Sequence, residues 1–436
     1  MKRCNPPSLR GRVWCFWNPL FGRKINIAPS RAATYKTATP CRCLEIVKIL
    51  HIIHSVNPAG GGPIEGIKQL SAAKAKLGWE IEVASLDRPD APWLKDFPLH
   101  VHALGPSYLS YGYCPKLIPW LKAHCHEYRF IVVNGIWQFN GFAAWWVLRK
   151  TDIPYFVFTH GMLDPWFKKH YPLKHLKKWL YWPWAEYRIL RDAAAVLFTC
   201  REEKLVARQS FWFYRCNERV VNYGTAGWQG DAETQKKAFL EQFPQLQGKR
   251  LILFLGRIHE KKGCDLLVEA FHRFLSETPD SKFQIVFAGP SDNPFGHKLR
   301  KRADSLGIED RITWTGMVEG DVKWGAFLAS EAFILPSHQE NFGISVAEAL
   351  SASLPVLISN KVNIWREIDE DNAGFVENDD LEGTYALLTR WNALSDDERR
   401  EMREKARHCF LEHFEILGAA KSLLKAYSEA QSKLTE

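Results

Sequence analysis

The feature that most limits what this chain of 436 residues can fold into is a pattern that occurs twice. From Val47 onward, short apolar runs alternate with helical stretches: IVKILHII, IEVASL, RFIVVNG, PYFVFTHG, AAVLFTC and RVVNYG. The glycine-rich stretch NYGTAGWQGD reads as a linker, and LILFLG, FQIVFAG, RITWTG, EAFILPS and PVLIS form a second series. Strands that are apolar on both faces need cover on both, which parallel sheets obtain from their crossover helices. The pattern predicts an α/β fold of two doubly wound, Rossmann-like domains facing across a cleft, with ligands at the carboxyl ends of the strands. The expected bounds are 1–46 for an N-terminal extension, 47–224 and 225–410 for the two domains, and 411–436 for a C-terminal helix able to pack back on the first domain.

The formal net charge of +9 belongs to that extension. Residues 1–44 hold nine Lys or Arg and no acid, leaving 49 basic against 49 acidic residues in the remainder. The body therefore lacks the cationic excess of a nucleic-acid-binding protein. Prolines interrupt the extension and no helical or strand period runs through it. The composition break predicts a disordered leader, or residues wrongly joined to a chain that naturally starts at Val47; a transit peptide is the other reading. Cys41 and Cys43 have no second pair at zinc-like spacing, so no metal site is expected. The cysteines read as reduced thiols of a cytoplasmic enzyme, and no apolar run is long enough to span a bilayer.

Within SHQENFGISVAEAL, Glu340 and Glu348 lie eight residues apart across a glycine-containing turn and a helix start. Unpaired N–H groups and the dipole at a helix N-terminus favour an anion. Eight residues span roughly 12 Å of helix at ~1.5 Å per residue. That suits two acids binding two sets of sugar hydroxyls with phosphates between them, as in a nucleotide-sugar site. GRIHEKKG leaves a strand with Arg257 and Lys262, a planar fork and a point charge that both suit a diphosphate; a solvated basic loop is the plainer account. Gly60, Gly61 and Gly62 follow the first strand, where adjacent glycines let backbone amides approach a phosphate. An ordinary strand–helix turn fits those glycines equally well, and Glu65 occupies the position where a dinucleotide fingerprint needs glycine. His160 ends another strand, as a core histidine or as a cleft group hydrogen-bonded to a sugar. Asp164 and Trp166 are acceptor-side candidates. Residues 166–191 mix nine Lys, Arg or His with eight aromatics. Three readings stand for them: a membrane interface, sugar stacking, or a helix with a basic outer face and an aromatic inner one.

Together these motifs resemble the retaining, metal-independent glycosyltransferases of family 4, the group 1 glycosyl transferases with the GT-B fold. The resemblance runs from about Val47 to about Glu412. Its most specific part is E-x-F-G-x(4)-E, here Glu340, Phe342, Gly343 and Glu348; G-R-x(4)-K-G at 256–263 comes next. The resemblance implies that the first domain binds the acceptor and the second the nucleotide-sugar. Glu340 would bind donor-sugar hydroxyls and Glu348 the ribose. Arg257 and Lys262 would grip the diphosphate, with Asn341 and the amides of Phe342, Gly343 and Ile344 beside them. Gly61 and Gly62 would approach from the other domain, His160 would touch the transferred sugar, and backbone near Met317 and Val318 would read the base. Asn360 to Asn363 replace the glycine-rich turn of many members, which weakens contacts expected there. No metal or other cofactor is implied; the nucleotide-diphosphate sugar is a co-substrate. The implied acceptor is a glycan or lipid-linked glycan of cell-surface polysaccharide synthesis, with the enzyme cytoplasmic or peripheral at the inner membrane face. An epimerase or phosphorylase of the same architecture, or a non-enzymatic glycan- or membrane-binding protein, are the competing readings.

Overall fold

The computed structural model describes residues 47–60, 62–75, 78–165, 172–221 and 223–435. The expectations for 1–46, Gly61 and Trp166 lie outside them. The first sheet contains β1 (Val47–Ile53), β2 (Trp79–Ser85), β3 (His100–Ala103), β4 (Phe130–Asn134), β5 (Tyr155–Phe158), β6 (Ala195–Phe198) and β7 (Glu218–Val220). Its order is β3-β2-β1-β4-β5-β6-β7 and every pairing is parallel. The second sheet contains β8 (Arg250–Leu255), β9 (Phe283–Ala288), β10 (Ile312–Gly316), β11 (Ala332–Leu335), β12 (Val356–Ser359) and β13 (Gly374–Glu377), ordered β10-β9-β8-β11-β12-β13 and again all parallel. The central strands are buried along their length, as β4, β6, β9 and β11 show.

Strand order reverses between β1 and β4 in one sheet and between β8 and β11 in the other. Neighbouring loops diverge at such a switch point and leave a crevice beyond the carboxyl ends of the strands. The glycine loop after β1, GRIHEKKG after β8 and SHQENFG after β11 all leave those strands.

Sequence reading expects six strands and five, whereas the sheets hold seven and six. The strands missed, β3 and β13, are four-residue edge strands that are only partly buried. An edge strand covered on one side needs no continuous apolar run, so the pattern that marks the centre fails at the rim.

Two features join the lobes. Thr225 N donates to Phe414 O at 3.0 Å and Ile416 N to Thr225 O at 3.1 Å, so the linker pairs with the returning chain. The helix Ile416–Thr435 then lies on the first sheet, where the buried Tyr427 ring sits 4.5 Å from Phe156, 5.1 Å from Phe130 and 6.2 Å from Trp79. Among the described residues no helix is long and apolar enough to cross a membrane, and every cysteine is an unpaired thiol.

Candidate active site

Loop chemistry after β11 begins with Gly343, whose φ of 69° lies in the left-handed region open to glycine. It ends the turn Glu340–Phe342 and starts the helix Ile344–Ser351. Val346, Ala347, Ala349 and Leu350 of that helix are fully buried, which fixes its rotation and direction. Removing Leu350 to Ala would cost about 2–5 kcal/mol. The N–H groups of Phe342, Gly343 and Ile344 meet no acceptor among the described residues. Glu340 is pinned from behind: its N–H donates to Lys361 O at 2.9 Å, and its carbonyl accepts from Asn363 N at 3.0 Å. Asn360–Asn363 thus support the turn through the main chain, without the glycines.

Each acid of the pair is held by a lysine. Lys262 Nζ donates to Glu340 Oε2, and both side chains are about one-fifth exposed. Burial, then the charges of Lys261 and Arg257, lower the Lys262 ammonium to about 8; the direct ion pair with Glu340 opposes that fall. Glu348 accepts from Lys323 Nζ at 2.6 Å and is 9% exposed. Burial pushes its carboxyl up, Lys323 draws it back, and Glu65 across the cleft pushes it up further. Arg257 is exposed. Beyond β10, Met317 is 63% exposed while Val318 is buried at 8%, so only Met317 presents a side chain to solvent.

The first lobe supplies His160 at the end of β5. It and Gly161 take successive left-handed conformations, φ 47° and 74°. Its ring stacks on Phe158 at 5.3 Å, and Nε2 lies 3.2 Å from Asn134 Oδ1. Burial lowers the imidazole to about 4, so it is neutral at physiological pH. A Cβ on Gly161 would come within 2.8 Å of the Asn341 side chain: only glycine lets the two lobes meet there. Asn341 Nδ2 donates to Thr199 Oγ1 at 3.4 Å, and Gln339 Nε2 to Asp164 Oδ2 at 3.0 Å. Asp164 is thereby brought beside the second lobe's loop after β11. Gly62 opens the helix Gly62–Ala75, and its carbonyl accepts from Tyr223 OH at 3.0 Å.

The structure thus gathers His160, Asp164, Asn341, Glu340 and Lys262 where the lobes meet, with Glu348 and Lys323 one helical turn further on. Sequence reading missed Lys323, Asn134 and Glu203. Glu203 stands three residues after Cys200 at a helix start, a spacing that reads as a helix cap. Its carboxylate also reaches back to the His160 turn, which no local pattern reveals.

Residues 172–192 are helical, with a π-turn at Trp182–Glu186. Trp182 is buried, but Leu173, Leu176, Leu180 and Trp184 are 59% to 79% exposed. The outer face therefore carries apolar side chains beside Lys177, not the purely basic face that a plain surface helix predicts.

Two parallel, doubly wound lobes with their strand ends turned toward a shared site define the GT-B architecture. A sucrose-phosphate synthase from Thermosynechococcus elongatus superposes with a TM-score of 0.70 at 20% identity, over 89% of this chain and 100% of its own. Anabaena HepE, solved with UDP and glucose, gives 0.65 at 15% identity over 88% and 100%. The family model "Glycosyl transferases group 1" matches residues 235–408, and "Glycosyl transferase 4-like domain" matches 61–224. With both lobes matched, the chain belongs to the group 1 glycosyltransferases. The alpha-monoglucosyldiacylglycerol synthase of Streptococcus pneumoniae is 24% identical over 66% of this chain and 65% of its own length. For the first curated relatives, the match spans about a quarter to a half of their length.

Proposed function

We propose that the protein is a retaining, metal-independent glycosyltransferase that moves a sugar from a nucleoside-diphosphate sugar to a glycan or lipid-linked glycan. The observation that carries this reading is the Lys262–Glu340 pair beside three unpartnered amides at a helix start. A diphosphate entering there offers Lys262 a stronger partner than Glu340, and the exchange frees the carboxylate for sugar hydroxyls. Arg257 and the amides share the phosphate charge. Cleavage of the anomeric C–O bond leaves an oxocarbenium-like sugar and a departing diphosphate, and these donors stabilise the leaving charge. The acceptor oxygen bonds to the same carbon on the face that the diphosphate leaves, and its proton passes to a diphosphate oxygen. Anomeric configuration is retained. His160, neutral, offers a ring nitrogen to a hydroxyl of the transferred sugar. Glu348 takes the ribose and backbone near Met317 the base. The UDP and glucose in the HepE complex support a nucleoside-diphosphate donor.

For the acceptor, the exposed Leu173, Leu176, Leu180 and Trp184 beside lysines suit an anionic membrane surface. The lipid product named for the Streptococcus relative supports a lipid-borne acceptor. The reading sets the enzyme at the cytoplasmic face of the membrane, building a cell-surface polysaccharide.

A panel of nucleoside-diphosphate sugars tests the proposal by thermal shift, then by transfer with and without candidate acceptors. Ligand at 100 times its Kd adds about 2.7 kcal/mol to apparent stability. Failure of every nucleoside diphosphate to raise Tm would overturn the proposal, and donor consumption without any acceptor product would favour an epimerase or hydrolase.

A further inference from the structure

We infer that Glu203 is a positioning residue that sets the His160 turn and fastens it to the donor-lobe turn at Asn341. Glu203 lies in the helix Arg201–Ala207 after β6 and is 2% exposed. Its Oε1 accepts from Thr159 Oγ1 and Gly161 N, and its Oε2 from Thr199 N and Oγ1, each at 2.7 Å. Both neighbours of His160 are therefore held by one oxygen. A left-handed conformation costs a non-glycine residue on the order of 1 kcal/mol, so the turn at His160 needs an external brace. Capping its own helix would occupy only the Thr199 side of the carboxylate; the reach to Thr159 and Gly161 crosses to another strand. Thr199 Oγ1, donating to Glu203, also accepts from Asn341 Nδ2, and Gly161 abuts the same asparagine. One buried carboxylate thus joins the ends of β5 and β6 to the turn between Glu340 and Gly343. The inference rests on the proposed role of His160 for its catalytic consequence, though not for its geometry.

The test is Glu203→Gln, which leaves one backbone N–H, of Gly161 or Thr199, without its acceptor. A loosened His160 should lower kcat by about 10- to 100-fold while the Kd for a nucleoside diphosphate stays unchanged. In a double-mutant cycle with His160→Ala, Glu203→Gln should add almost nothing further, because both act through one ring. Additive losses, or a weakened Kd in parallel with kcat, would overturn the inference. Thr159→Val removes a single donor and should repeat the pattern at smaller amplitude if Glu203→Gln fails to fold. If the wild type transfers no sugar, the enzymatic reading fails by itself. NMR of the His160 ring then decides the geometry: its resonances should shift or broaden in Glu203→Gln as the turn loosens, and an unchanged ring spectrum would refute the brace.

Discussion

The two lobes prepare their strand ends in opposite ways. The second lobe holds two ion pairs, Lys262 with Glu340 and Lys323 with Glu348, around a helix start whose amides are unpartnered among the described residues. The first lobe presents a neutral ring, His160, on a left-handed turn tied to a buried carboxylate. Under the proposed function, the contrast follows from what each lobe would meet. A diphosphate would bring charge and could displace a lysine's existing partner, so that role calls for mobile cations in a partly dry site. A sugar brings hydroxyls, which a fixed neutral group binds without the cost of burying a charge.

The sharpest way to break this comparison is Lys262→Ala. It removes the cation expected to follow the leaving diphosphate and leaves Glu340 without a partner. Turnover should fall about 10²- to 10³-fold with an unchanged circular dichroism spectrum; unaltered turnover would take Lys262 out of the site. Next comes the neutrality of His160. Its folded value is about 4 against an ordinary 6.5, so the unfolded chain binds the extra proton between those values. Stability is therefore full above pH 6.5 and is lost as pH falls toward 4, by roughly 3 kcal/mol at about 1.4 kcal/mol per unit. Denaturant midpoints between pH 7 and 4 measure the slope, and His160→Gln should flatten it; an equal slope in the variant assigns it to another group.

A smaller effect separates Glu348 from Glu340. In Lys323→Met the Glu348 carboxyl loses the lysine that holds its pKa down. Nucleoside-diphosphate affinity should drop by up to about tenfold, the equivalent of ~1.4 kcal/mol, and the drop should shrink as pH rises. Calorimetry from pH 6 to 8.5 reads this directly, and tighter binding would mean that Lys323 obstructs the ribose. Smallest in stability is Leu176→Glu on the exposed apolar face. Tm should move by no more than about 0.5 kcal/mol equivalent, yet sedimentation with vesicles of anionic lipid should weaken. Undiminished vesicle binding would remove that face from the membrane reading.

Much of the architecture was legible because central parallel strands must be apolar throughout. β4, β6, β9 and β11 announce themselves, whereas β3 and β13 escape notice because an edge needs no such run. The Glu340–Glu348 spacing and the basic loop at 256–263 are each local patterns, so each is readable in one dimension, whereas the 78 residues between Lys262 and Glu340 hide their pairing. Lys323 and Glu203 are not. Each acts through partners 25 or more residues away in the chain, Glu348 for the lysine, Thr159 and Gly161 for the glutamate. A charged residue on a helix carries no mark of the loop that another strand delivers to it.

The sequence by itself therefore determined the two layered lobes and the acids and cations carried by the loops after β8 and β11. Periodicity and turn chemistry act over a few residues, and these features are of that range. Only the tertiary structure decided which charges pair, that His160 is neutral, and that Gly161 touches Asn341. Pairing, desolvation and close approach depend on separations in space between strand ends that the sheet order sets.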